Sequence, residues 1–233
     1  MIISANQPYF CPFPGFFFKA SLSDVLIILD EVQFPQGTTW LSRNRFKNDQ
    51  GTLWLTIPVW KKGLGRQPIN QVSICHEGRW PGKHRESLKS AYGHAPYLRD
   101  HLGFIEEMYS SRFDRLIDLN LAIIRYLLNC LKIDTKLVLL SQLGVKGKAT
   151  QLLVEICRAL KASTFLAQSQ VKKFVDPDLF RQEGIDLRYF KYTAPTYPQL
   201  WGDFLANLSA FDLLFNCGPR ARDILRQSQP AAR

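Results

Sequence analysis

The sequence predicts an α/β fold: a Rossmann-like layered sheet with helices on both faces, a small antiparallel insertion, and a long helix or helix pair in the middle. Three observations carry this. Two short apolar strand runs, Ile2 to Ala5 and Val25 to Leu29, flank one short helical segment. Apolar residues recur at helical spacing from Leu102 to Leu131. The last hundred residues then alternate strand-like and helix-like segments, which implies parallel strands joined by crossovers.

The elements follow in order. After the first strand, Pro8, Pro12 and Pro14 remove three N–H donors and push their predecessors out of helical geometry, so a rigid, aromatic-rich loop is expected. Phe16 to Ser23 reads as a helix. Asp24 to Asp30 reads as a strand buried on both faces, because its β-branched and Leu residues run without alternation between two carboxylates. Leu53 to Val59 and Gln71 to Cys75 read as strands of an antiparallel insertion spanning about Trp40 to Cys75. Pro81 suits the first turn of a helix reaching Tyr92. The stretch from Leu102 to Leu131 is one helix or two, broken near Ser110 and Ser111. Strands Lys136 to Leu140, Thr164 to Ala167 and Asp186 to Phe190 then alternate with a helix from Ala149 to Leu160 and a short one after Asp176-Pro177. Residues 1 to 226 are expected to form a single α/β domain, and Gln227 to Arg233 a disordered tail.

Composition narrows the function. With 233 residues and 46% apolar residues the chain can bury a core without staples. Its apolar runs are too short to span a bilayer, and the opening MIISANQPYF lacks a charged leader, so a soluble, unprocessed cytoplasmic protein is expected. Five dispersed cysteines without a CxxC pair argue against a disulfide framework and against a zinc site. A net charge of +10 favours anionic partners. Six basic residues and one acid lie between Gln36 and Arg66, which places the expected anion surface early in the chain.

Candidate chemistry is sparse. Asp30 ends the second strand, where open α/β sheets place ligands. His84 follows Trp80 on a helix and has a side chain suited to proton transfer near neutral pH. Lys146 and Lys148 lie in a loop between strand and helix, a setting that attracts anions. The loop lacks the phosphate-loop spacing, because Gln142 and Ala149 stand where Gly and Ser or Thr are required. Cys11 and Cys217 carry no nucleophile signature. Aromatic residues interleaved with Arg43, Arg45, Lys47, Lys61 and Lys62 could stack bases, yet no nucleic-acid module is present, and nucleic acid is not an expected partner.

Gln7-Pro8-Tyr9-Phe10-Cys11-Pro12-Phe13-Pro14-Gly15 with Phe18-Lys19, Leu29-Asp30-Glu31-Val32-Gln33-Phe34, Ser42-Arg43-Asn44-Arg45, Lys83-His84, Tyr197-Pro198-Gln199 and Ser209 to Gly218 resemble, in this order, the WbqC-like protein family. The likeness covers about residues 2 to 218. It implies a place in bacterial O-antigen and other surface-polysaccharide gene clusters, with transfer of glycine onto an amino sugar as a suggested role. Where the family commonly has His before the Gln-Pro pair, this chain has Asn6, which can bind but cannot take a proton.

The expected function is therefore an aminoacyl or acyl transferase acting on an amino sugar carried as a nucleotide sugar or sugar phosphate. Asn44, Arg45 and Lys83 would hold the anionic handle, Gln7 and Gln33 would orient the acceptor, and Asp30 or His84 would take the proton. Tyr197, Gln199 and Asn216 join the site through the resemblance alone. The alternatives are a non-catalytic sugar-nucleotide or partner-binding module and a nucleotidyltransferase-like, adenylate-forming enzyme. ATP and Mg2+ are candidate cofactors, with Lys146 and Lys148 as the anion contacts.

Overall fold

The computed structural model describes residues 1–228. The tail expected from Gln227 onward lies outside them after Ser228. Gln227 and Ser228 themselves form a turn whose N–H groups donate to the carbonyls of Asp223 and Leu225.

Strand β1 (Ile2–Asn6) leads through the proline loop into helix α1 (Pro14–Ser21), with Pro14 at its first turn, and then into β2 (Val25–Ile28). A hairpin follows, β3 (Arg43–Asn48) and β4 (Gly51–Thr56), then helices α2 (Trp80–Tyr92), α3 (Leu102–Ser110) and α4 (Leu116–Cys130). The remainder runs β5 (Lys136–Leu139), α5 (Ala149–Ala159), β6 (Thr164–Gln168), α6 (Pro177–Gln182), β7 (Asp186–Phe190), α7 (Ala210–Cys217) and α8 (Ala221–Arg226).

The main sheet has five strands in the order β5-β2-β1-β6-β7, and every pairing is parallel. The chain builds outward from β1 on one side and then returns to build on the other, so a topological switch point falls between β1 and β6. Strand residues alternate between two cores. Leu26, Ile28, Leu166 and Phe190 pack with α1, α4 and α7, whereas Val25, Ile27, Phe165 and Ala167 pack with α5 and α6. This is the layered arrangement the apolar strand runs require.

The helical stretch is two helices, broken at Ser111. Asp176 caps α6 by accepting from the Asp178 N–H, as its position before Pro177 predicts. One expectation is corrected. Gln71 to Cys75 is not a strand: Ile69–Gln71 is a 3-10 turn and Ser73 and Ile74 make only single bridges, to Arg115 and Val59. The strand that pairs with β4 is instead β3, from the basic stretch of the insertion.

The C-terminal third is fastened by one carboxylate. Asp212 on α7 has no exposed surface and accepts hydrogen bonds of 2.8 Å from both Tyr92 and Tyr197. Tyr92 in turn accepts from the Lys47 N–H, and the Lys47 ammonium donates to Gln199 and to the Asp203 carbonyl. Removing the carboxylate strands two buried hydroxyls, so Asp212→Ala is expected to cost about 3 kcal/mol of stability by urea denaturation. A loss below about 1 kcal/mol would contradict this role.

Candidate functional site

Strands β1 and β6 part company after two residue pairs, Ile2 with Thr164 and Ile3 with Phe165. The carbonyls of Ile2 and Asn6 accept from Asp24 and Leu29 on the β2 side. By strand alternation the Ala5 carbonyl therefore faces β6, with no ladder partner there. The splay opens two adjoining clefts at the carboxyl ends of β1 and β6, and both are bordered by Tyr9 and Gln168.

The first cleft, about 340 Å3, is walled by Tyr9, Phe13, Trp40 and Tyr192, with Arg45, Gln170 and Asn207 as polar groups. The proline loop positions its rings. Asn44 donates both amide hydrogens to the carbonyls of Phe10 and Cys11, at 2.9 and 2.7 Å, and Asn120 donates to the carbonyls of Pro8 and Leu41. Gly15 lies under Phe13 and Tyr192, where an added Cβ would come within 2.8 Å of the Tyr192 ring. At the rim the indoles of Trp40 and Trp54 stack 5.7 Å apart, both largely exposed. The Arg43 guanidinium covers Trp54 at 3.9 Å, and that of Arg45 lies 5.8 Å from Trp40. Arg45 donates through Nη2 to the carbonyls of Ala206 and Asn207, while its buried Nε has no partner among the described residues.

The second cleft, about 380 Å3, runs between the splayed strands and the start of α5. Aliphatic side chains make most of its wall, and Asn6, Gln7 and Lys19 stand at its β1 end.

The expected site residues divide accordingly. Arg45 and Asn44 border the first cleft and Gln7 the second. Asn44, however, has its amide committed to the loop backbone and its Oδ1 to the Arg45 N–H, so it holds the cleft's shape rather than a ligand. Asp30, Gln33, Lys83 and His84 border neither cleft. Asp30 is buried and accepts from the N–H and hydroxyl of Ser141, at 3.0 and 2.6 Å, which ties the end of β2 to the turn after β5. The clefts open where β1 parts from β6, and the second also reaches Leu29 and Val32 just beyond β2. Gln33 and Lys83 are exposed, as are Lys146 and Lys148 in the loop before α5. Tyr197, Gln199 and Asn216 gather around Asp212: the first bonds its carboxylate, the second receives Lys47, and the third donates to its carbonyl.

His84 is enclosed by Trp80 and Tyr109, with Nε2 accepting from the Thr56 N–H at 3.3 Å and Nδ1 3.2 Å from the Tyr109 hydroxyl. Burial pushes its pKa down to about 4. Burial likewise raises the thiols of Cys11 and Cys217, the latter to about 11, away from nucleophilic reactivity. Among the described residues no cluster of His, Cys, Asp and Glu could hold a metal, and no helix is long and apolar enough to cross a membrane. Lys19 borders the second cleft without any signal in the sequence, because a single lysine in a Phe-rich helix gives no sign that it points inward.

Fold and clefts define an α/β protein with a ligand-sized opening at its topological switch point. Residues 7–224 match the WbqC-like protein family, and the chain belongs to that family. It is 30% identical over 226 residues to "Uncharacterized protein Rv1507c" of Mycobacterium tuberculosis, a match covering 96% of this chain and 97% of that relative. No solved structure gives a significant match.

Because the folded state keeps His84 neutral while the unfolded chain protonates it below about pH 6.5, its contribution to stability falls from pH 6.5 towards 4 and then levels. Going from pH 7 to 4.5 should therefore cost the wild type about 2 kcal/mol more than His84→Gln, which can still accept from Thr56. Equal losses in urea denaturation at the two pH values would show that His84 protonates freely in the fold.

Proposed function

We propose that the chain is a group-transfer enzyme of bacterial surface-polysaccharide synthesis, passing an acyl or aminoacyl group, glycine among the candidates, to an amino sugar held as a nucleotide sugar or sugar phosphate. The observation that carries this reading is the exposed Trp40 ring beside Arg45 at the mouth of the first cleft. An aromatic face suits a sugar ring or a base, and the Arg45 guanidinium at the cleft border suits the phosphate that follows it. Family membership supports the polysaccharide setting. Two adjoining clefts of unlike chemistry suit a reaction that joins two ligands, since transfer gains most from holding both partners in contact. In this reading Arg45 grips the handle, Gln7 and Gln168 orient the acceptor, and Asn44 fixes the loop between them.

A second reading, a non-catalytic module that binds a sugar nucleotide, is favoured by one observation. Asp30 and His84, the residues expected to move a proton, are committed to Ser141, Thr56 and Tyr109 away from both clefts.

A thermal-shift screen with UDP-N-acetylglucosamine, UDP-glucosamine, glucosamine 1-phosphate, glycine and ATP tests the proposal. A nucleotide amino sugar at a hundred times its Kd should stabilise the fold by about 2.7 kcal/mol, roughly 5 to 10 °C in Tm. Arg45→Ala and Trp40→Ala should each weaken that ligand at least tenfold without lowering the Tm of the free protein by more than a few degrees. A shift with ATP alone would favour an adenylate-forming enzyme instead, and silence across the panel would remove the sugar-nucleotide assignment.

A further inference from the structure

Lys19 projects from α1, on one face of the sheet, yet borders the second cleft, whose far wall is α5 on the opposite face. Its ammonium reaches the splay between β1 and β6 and donates to the Ala5 carbonyl at 2.6 Å, taking the place of the strand N–H that the parting of β6 removes. The residue is 7% exposed and forms no ion pair among the described residues. A lysine ammonium has three N–H donors, and one is used. Burial without a counter-charge pushes its pKa down to about 7. Such a group costs stability unless something in the cleft compensates it, because a buried cation needs a partner.

The rest of the cleft says what that partner looks like. Leu29, Leu152, Leu153, Phe165 and Leu166 line it. At its lip Phe174 is 70% exposed, the most open large apolar side chain of the described residues, with Val171 beside it at 39%. Ala149 and Thr150, the first residues of α5, also border the cleft and add the partial positive charge of a helix start. One buried cation at the β1 end of a mostly apolar cleft matches a single negative charge on an aliphatic tail.

We propose that the second cleft binds an aliphatic monocarboxylate, with its carboxylate group on Lys19 in the splay and its tail along α5 towards Phe174. The inference rests on taking the switch-point clefts as the substrate site, and it assigns the second cleft a free carboxylate as ligand with no covalent step placed on it. A monoanion is chosen over a phosphate because one ammonium balances one charge, and the second cleft has no arginine. The cleft, about 380 Å3, also exceeds what glycine would fill, so the carboxylate bound there is fatty or branched.

Isothermal titration with octanoate, 1-octanol, acetate and octyl phosphate tests this on the full chain. The wild type is expected to bind one octanoate, at least tenfold tighter than octanol, which has the tail without the charge, and far tighter than acetate, which has the charge without the tail. Lys19→Met should abolish the preference for octanoate while leaving octanol binding unchanged. Leu153→Trp, which narrows the channel, should weaken both. Arg45→Ala should leave octanoate binding intact, which separates this site from the sugar site. Equal affinity of the wild type for octanoate and octanol, or acetate binding as tightly as octanoate, would overturn the proposal, and this reading needs no variant to fold. Octyl phosphate binding more than tenfold tighter than octanoate would overturn the choice of a carboxylate. Octanoate failing while UDP-glucosamine still binds would remove this inference alone.

Discussion

The carbonyl groups of the loop after β1 are the constraint on which the molecule is arranged. Pro8, Pro12 and Pro14 leave this loop short of donors and unable to form a ladder, yet most of it is buried, so its carbonyls must be met from elsewhere. The donors come from three distant parts of the chain. Asn44 of β3 reaches Phe10 and Cys11, Asn120 of α4 reaches Pro8, and the Ala210 N–H at the start of α7 reaches Pro12. The Phe10 N–H, one of the donors the loop keeps, goes to the Trp40 carbonyl. Hairpin, helical segment and C-terminal helices are thus clamped to one short segment, and that segment carries Tyr9 and Phe13 into the cleft. Cys11 accepts a positive φ of 44° within it, a strained geometry that the surrounding hydrogen bonds hold in place.

Two buried charged residues show how differently a fold can treat a cost. Asp212 is raised above the usual carboxylate range by burial, but two tyrosine hydroxyls point at it, and the lysine of the same network is near enough to offset part of the penalty. Every oxygen has a task that structure alone explains. Lys19 meets the same penalty with one carbonyl and no carboxylate. A fully hydrogen-bonded buried charge fixes a fold, whereas one left partly open in a cleft at the switch point keeps capacity for a ligand.

The sheet was legible because its signal is apolar and local. Val25 to Ile28 has no polar face to hide, Asp176-Pro177 announces a helix start, and Ser110-Ser111 interrupts a helical period. β3 was not legible, because Arg43, Asn44, Arg45, Lys47 and Asn48 read as a solvated basic stretch. They form a strand since the fold supplies a partner for each buried polar group: loop carbonyls for Asn44, Gln199 and Asp203 for Lys47. Arg45, from the same basic run, borders the first cleft. Position at a strand end misdirected attention to Asp30, because the sequence cannot reveal that Ser141, 111 residues away, satisfies it. His84 misled for a related reason: side-chain chemistry suggested a proton acceptor, and desolvation among aromatic rings removed it from the useful pH range.

The separation of β1 from β6 ties these observations together physically. Had the two strands stayed paired along their length, the Ala5 carbonyl would be satisfied by β6, Lys19 would have no acceptor inside the sheet, and its four-carbon stem would turn to solvent. The two clefts would close as one ladder. With the strands parted, Tyr9 and Gln168 stand at the division between a compartment of rings and guanidinium and a compartment of aliphatic side chains and ammonium. Under the proposed transfer reaction the reacting atoms must meet at that division, since it is where the two compartments touch. Both halves of the partition depend on the proline loop, because Tyr9 belongs to it and the carbonyls of its neighbours Pro8 and Phe10 are held by Asn120 and Asn44.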